Sequence, residues 1–177
     1  MRRAKTHVAG LQLGFQHQGE AYLMWKSGRG DHLQENFQKL TDRMSSAQLP
    51  PDVVIIHVGS NDLGDTPWRT LRQQLRDGFK AVFDTQPRTR LVWSDIIPRR
   101  KYRQGCSYRA MEHMRKKLNR YASALCVHSD GGFISHPIKC GDEALFREDG
   151  VHLSSKGTDI LLESWGQAIR EWLAVWR

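Results

Sequence analysis

The most constraining feature of this sequence is the apolar stretch at residues 52–58, DVVIIHV, which runs directly into Gly59, Ser60, Asn61 and Asp62. A short run rich in β-branched residues and closed by glycine predicts a buried strand, as in a parallel sheet. Ligands of open parallel sheets bind at the carboxyl ends of the strands. The polar residues after this strand are therefore either a turn, because Asn and Asp bond to nearby backbone, or part of a functional site.

Predicted strands alternate with predicted helices along the rest of the chain. Further strands are predicted at residues 20–25, 90–96 and 123–129, and helices at 31–46, 67–84, 106–122 and about 155–176. This alternation predicts an α/β domain with a mainly parallel sheet. The 177 residues are enough for one domain with a full core, so we predict a single domain over residues 1–177.

The composition is ordinary for a soluble globular protein, with 39% hydrophobic and 26% charged residues. No apolar run is long enough to span a bilayer, and the basic N-terminus lacks the apolar core of a secretory signal. Cys106, Cys126 and Cys140 show no spacing typical of a zinc site or a disulfide framework, which favours free thiols. We therefore expect an intracellular protein, cytoplasmic or nuclear.

The whole net charge of +8 is concentrated in residues 99–120, which hold nine basic residues and one acid. Such a cluster is either a solvated surface or a surface that binds phosphate groups, as in a nucleic acid. No motif that reads bases accompanies it. If the cluster binds a nucleic acid, the contacting residues are expected to be Arg99, Arg100, Lys101, Arg103, Arg115, Lys116, Lys117 and Arg120.

A second polar motif, before the last helix, contains Asp149 and His152. A carboxylate that orients an imidazole is half of a hydrolytic triad, but a loop aspartate with a capping role beside an incidental histidine would look the same. A metal hydrolase is disfavoured because the eight histidines show no ligand spacing.

Considered together, three motifs resemble the SGNH, or GDSL, hydrolases. Gly30 in WKSGRGDHL, GSND at 59–62 and DGVHLS at 149–154 match three of that family's four sequence blocks in order and spacing. The stretch LVWSDIIPRRKYRQG, followed by RKKLNRYASAL, also resembles the SGNH-type domains of vertebrate retrotransposons.

The resemblance implies a three-layer flavodoxin-like fold, with helices on both faces of the sheet, and serine esterase chemistry without a cofactor. It implies that His152 is the general base and Asp149 its orienting partner. The oxyanion hole would use the amide of Gly30 and the side chain of Asn61. The substrate would be a small ester or acyl compound.

Gly59 and Asp62 are expected to support the oxyanion loop. Gly59 would let the backbone turn so that Asn61 faces the site. We also expect Asn61 and His152 to face a shared cleft.

The family's first block, a Gly-Asp-Ser or Gly-His-Ser that closes the first strand and supplies the nucleophile, has no counterpart here. Ser27 lies in the block-two loop with no serine before it, and Ser60 adjoins the oxyanion donor, so neither suits the nucleophile position. We expect the first strand to be absent together with the nucleophile. The chain is then either an N-terminally truncated hydrolase or a degenerate retroelement-derived module, and in neither case a competent esterase as written.

Overall fold

The structure, a computed structural model, describes residues 31–47 and 50–175, without the side chain of residue 173. Within these residues a parallel sheet contains the strands Val53–Ile56 (β1), Arg90–Ser94 (β2) and Gly132–Ile134 (β3), in the order β1-β2-β3. The α-helices are Leu33–Ser45 (α1), Trp68–Thr85 (α2), Tyr108–His128 (α3) and Ser155–Val175 (α4). The parallel sheet and its helices confirm the predicted α/β class.

The central strand of the described sheet is β2, which pairs with β1 on one side and β3 on the other. Its residues Leu91, Val92 and Trp93 have no exposed surface. A strand that is covered on both faces is expected to be a continuous apolar run rather than an alternating one. This is why the apolar stretch LVW marked the strand in the sequence.

Helices α1, α2 and α3 pack in series, and α3 lies against β2 and β3. Between α1 and α2, the rings of Phe37 and Phe79 have centroids 5.5 Å apart. Both side chains belong to one hydrophobic core, which also includes Leu71 and Leu118. The apolar residues that recur every three or four positions in these helices therefore lie on their buried faces.

The strand predicted at residues 123–129 is wrong, because these residues continue α3. Leu118, Ala122 and Cys126 recur every four residues and are fully buried, so the apolar stripe of the helix continues past the predicted end at residue 122. The helix ends only before Asp130, whose φ of 54° is left-handed, and β3 begins at Gly132. A short apolar run does not by itself distinguish a strand from a buried helix segment.

By its contacts, the chain divides into two compact units. The described part of the first unit comprises residues 31–47, 50–98 and 102–135, and it contains the sheet with α1, α2 and α3. The described part of the second unit comprises 99–101 and 136–175, and it contains a short 3₁₀ helix, Glu143–Leu145, and α4.

The strand predicted at 20–25 lies outside the described residues, and the single domain over 1–177 stays a prediction. In the part of the chain that the structure describes, no helix combines the length and apolarity needed to cross a bilayer.

Candidate active site

In the first unit, the loop after β1 turns sharply at Gly59, which has a φ of +94°. A Cβ at this position would lie 3.3 Å from both Ile96 Cδ1 and Leu118 Cδ2. Any other residue would therefore combine an unfavourable backbone conformation with crowding against the core. The turn is closed by the amide of Asp62, which donates to the carbonyl of Gly59 at 3.3 Å.

Asp62 ties this loop to the beginning of α1. Its carboxylate is 1% exposed and accepts the amide of Leu33 at 3.2 Å on Oδ1 and 3.0 Å on Oδ2. Oδ1 also lies 3.2 Å from Nδ1 of His32, whose own side chain does not cap the helix. Because the first amides of a helix have no partner within it, Asp62 serves as a cap supplied from a distant loop. Burial raises the pKa of Asp62, and the hydrogen bonds from Leu33 and His32 oppose that shift.

Asn61 makes a second connection between the same two segments. Its Nδ2 donates to the backbone carbonyl of Asp31 at 3.4 Å. The two neighbouring residues Asn61 and Asp62 thus both hold the loop after β1 against the residues that precede or begin α1. Gly30, the other predicted oxyanion donor, lies outside the described residues.

In the second unit, Asp149 and His152 lie in a tight loop immediately before α4. Phe146 and Leu153 form an antiparallel bridge at the base of the loop, and the amide of Arg147 donates to the carbonyl of His152 at 2.8 Å. The side chains of Asp149 and His152 are 46% and 70% exposed. The loop is therefore held by its backbone, and the side chains of both residues reach the surface.

Asp149 uses both carboxylate oxygens to orient His152. Oδ2 lies 2.7 Å from Nδ1 of His152, and Oδ1 accepts the amides of Val151 at 2.8 Å and His152 at 2.9 Å. These hydrogen bonds, with that from the His152 amide foremost, hold the pKa of Asp149 well below its usual range. An ionised carboxylate only accepts, so the proton of the neutral imidazole lies on Nδ1 and Nε2 is left as the basic nitrogen.

The backbone of two predicted phosphate-binding residues supports this loop. The amides of Arg100 and Lys101 donate to the carbonyl of Gly150 at 2.8 and 3.1 Å. The side chain of Arg100 forms an ion pair with Glu143, and Lys101 Nζ donates to the carbonyl of Glu148 at 3.3 Å. Sequence reasoning missed this role, because nothing local marks a contact between residues so far apart in the chain.

Other members of the predicted basic cluster are also engaged within the protein. Arg103 forms an ion pair with Asp65. Arg115 is only 13% exposed, with Nη2 at 2.8 Å from Glu112 and Nη1 donating to the carbonyl of Ile96 at 2.8 Å. The predicted residues that α3 presents at or near its surface are Lys116, Lys117 and Arg120.

The sequence-predicted site residues fall into both compact units. Asn61 belongs to the first and His152 to the second, so the shared cleft stays a prediction. Among residues 31–47 and 50–175, no group of His, Cys, Asp and Glu side chains is arranged to hold a metal ion.

Several solved structures resemble this one. A GDSL-like lipase from Bacteroides thetaiotaomicron has a TM-score of 0.63 at 17% identity, covering 80% of this chain and 72% of that chain. A carbohydrate esterase of family 3 from Talaromyces cellulolyticus has a TM-score of 0.62 at 17% identity, covering 82% and 69%. The esterase domain of a zebrafish retrotransposon protein has a TM-score of 0.49 at 24% identity, covering 85% and 92%. That score is too low to carry an argument, so the resemblance to retrotransposon domains rests on the sequence motifs.

Comparison with curated protein sequences found no match. The model of the GDSL-like lipase/acylhydrolase family matches residues 11–160. This match spans most of the 177 residues and includes all three motifs that resemble the family's sequence blocks. The chain therefore belongs to the GDSL-like lipase/acylhydrolase family.

Proposed function

We propose that this chain is an acyl-ester hydrolase-type domain in which His152 is the general base and Asp149 its orienting carboxylate. The observation that carries the proposal is the hydrogen bond of 2.7 Å between Asp149 Oδ2 and His152 Nδ1. It selects the tautomer in which Nε2 accepts a proton from a nucleophile and later returns it to the leaving group. The same carboxylate stabilises the imidazolium that forms between these steps.

Asn61 is the proposed donor to the oxyanion of the tetrahedral intermediate. Its present bond to the carbonyl of Asp31 is 3.4 Å long, beyond the usual range for an N–H···O hydrogen bond. In characterised enzymes, removing one such donor slows the reaction by about 10²–10³-fold.

The nucleophile is the part that the sequence does not supply. No serine occupies the family's first-block position, so we propose that the 177-residue chain does not turn over esters by itself. Removing the nucleophile of a triad enzyme leaves only about 10³–10⁴-fold rate enhancement over water. The base and the oxyanion donor would then become catalytic only when a serine is placed beside them.

The test uses two proteins, the 177-residue chain and the same chain extended at its N-terminus by a strand that ends in Gly-Asp-Ser. The first should neither hydrolyse p-nitrophenyl acetate above background nor react with a fluorophosphonate probe. The second should do both. In the extended protein His152→Ala should lower the rate on the order of 10³-fold or more. His128→Ala, at the exposed end of α3, is the matched control and should leave the rate unchanged.

Two results would contradict the proposal. Stoichiometric labelling of Ser27 or Ser60 in the 177-residue chain, abolished by substitution with alanine, would mean that the nucleophile was misidentified. A loss of less than about tenfold for His152→Ala in an active extended protein would mean that His152 is not the base.

A further inference from the structure

Helices α2 and α3 exchange cation–π contacts across their interface in the first unit. Arg72 on α2 lies over the ring of Tyr121 on α3, with its Cζ 5.4 Å from the ring centroid. Lys117 on α3 lies over the ring of Trp68 on α2, with its Nζ 4.4 Å from that centroid. The two rings contact each other edge to face, with centroids 5.7 Å apart. Each helix therefore holds a cation of the other in a defined position.

Further basic residues lie beside these two on the same helices. Residues three or four apart share one helix face, so Arg69 and Arg76 accompany Arg72 on α2. On α3, Arg120 shares a face with Lys117, three residues before it, and with Lys116, four residues before it. Five of these six side chains are exposed and Lys117 is half-buried. We call this set the two-helix basic surface, and its members are Arg69, Arg72, Arg76, Lys116, Lys117 and Arg120.

Two acidic residues, Asp77 and Glu112, lie nearest to this surface along α2 and α3, against its six cations. Asp77 accepts a hydrogen bond from the neutral side chain of Gln73 at 2.8 Å and keeps its negative charge. Glu112 binds Arg115 through both carboxylate oxygens, at 2.8–3.1 Å. Its charge also acts on Lys116. The surface thus keeps a strong excess of positive charge.

We propose that the two-helix basic surface binds the phosphate backbone of a nucleic acid strand without reading its bases. Six cations on two adjacent helices match a ligand that carries a row of regularly spaced negative charges, and such contacts with phosphates position a strand without sequence information. The rings of Trp68 and Tyr121 position Lys117 and Arg72, and these two cations are available to contact phosphates.

A lipid surface is a poorer match, because an amphipathic helix that binds at a membrane interface buries exposed apolar side chains as well as placing cations at the headgroups. None of the large exposed apolar side chains in the described part of the chain belongs to the two-helix basic surface. Those side chains are Tyr108, Val127, Phe133 and Val175.

This surface differs from the cluster at residues 99–120 that the sequence indicated. Half of its cations come from α2, outside that cluster, whereas Arg100, Lys101 and Arg103 are bonded within the protein. The two assignments share Lys116, Lys117 and Arg120 but differ for Arg100, Lys101 and Arg103, whose substitution should weaken binding only if the cluster at residues 99–120 is the binding surface. The inference also uses no residue of the proposed acyl-ester site, so the two succeed or fail separately.

The test measures fluorescence anisotropy of a labelled single-stranded oligonucleotide, about twenty nucleotides long, with the full chain at several salt concentrations. If four to six phosphates are contacted, the slope of log affinity against log salt should be about −3 to −4, from about 0.7 per phosphate. Affinity should then fall about 100-fold between about 50 and 200 mM salt. Mixed-sequence and homopolymer probes should bind alike.

The decisive comparison is between two triple variants that remove the same charge. Arg72→Gln, Lys117→Gln and Arg120→Gln together should weaken binding at least about tenfold at low salt and make the slope shallower by about 2. The matched control, Arg100→Gln, Lys101→Gln and Arg103→Gln, should change affinity by less than about threefold. Arg72→Lys with Arg120→Lys keeps the charge and should retain binding, which separates charge from folding; circular dichroism checks that each variant is folded.

Three results would overturn the inference. The first is equal loss of binding in the two glutamine variants, because binding would then follow net charge alone. The second is absence of oligonucleotide binding at low salt. The third is binding to phosphatidylserine vesicles but not to the oligonucleotide, which would assign the surface to membranes.

Discussion

Replacing Asp62 with alanine should destabilise the first unit by roughly 2–4 kcal/mol. The carboxylate is 1% exposed and accepts the single N–H of Leu33 on both oxygens in a three-centre hydrogen bond. A hydrogen bond to a charged group contributes about 1.5–3 kcal/mol. Its removal leaves that amide, on a residue with no exposed surface, without its acceptor, at a cost of about 1–3 kcal/mol. Burial of the charge, which raises the pKa of Asp62, offsets part of the loss.

Urea unfolding followed by circular dichroism gives the change in the free energy of unfolding, and hydrogen exchange of the α1 amides shows where stability is lost. Asp62→Asn keeps one oxygen acceptor and should cost about 1 kcal/mol. Asp77→Ala, an exposed acid on α2, is the matched control and should change stability by less than about 0.5 kcal/mol. A loss for Asp62→Ala as small as that of the control would refute the capping role of Asp62.

Two further predictions concern the same loop. Burial lowers the pKa of His57, whose Nδ1 lies 2.9 Å from Ser94 Oγ, to about 4. Between about pH 6.5 and pH 4, His57 is therefore protonated in the unfolded chain but neutral in the folded protein. The free energy of unfolding should decrease by up to about 3 kcal/mol as the pH falls through this range. Urea unfolding across this range should show less of that drop in His57→Asn, and an unchanged pH dependence would contradict the assignment. Gly59→Ala should cost about 1–3 kcal/mol in thermal unfolding. Gly105 has a φ of +86°, and a Cβ added there would meet no atom within 4 Å, so Gly105→Ala measures the cost of backbone strain alone. An equal loss of stability in the two variants would exclude crowding at residue 59.

The sequence by itself determined the α/β class, most of the elements and the pair Asp149–His152. These features are encoded locally. A buried strand must be apolar throughout, and a packed helix must repeat its apolar residues every three or four positions. A loop aspartate can reach a histidine three residues later. The same local reasoning failed at residues 123–129, where a continuous apolar run fits a buried strand as well as a buried helix. There the uninterrupted stripe from Leu118 to Cys126 decided for the helix.

Only the tertiary structure decided which partner each charged residue has. Asp62 caps a helix that begins 29 residues earlier, Arg100 supports the loop of His152, and Arg72 lies beside Lys117 on another helix. No periodicity predicts these contacts, since a basic or acidic side chain is compatible with solvent, with an ion pair or with a ligand. Packing of the helices against the sheet brings distant segments together, and burial then determines which charges must be paired and which remain at the surface.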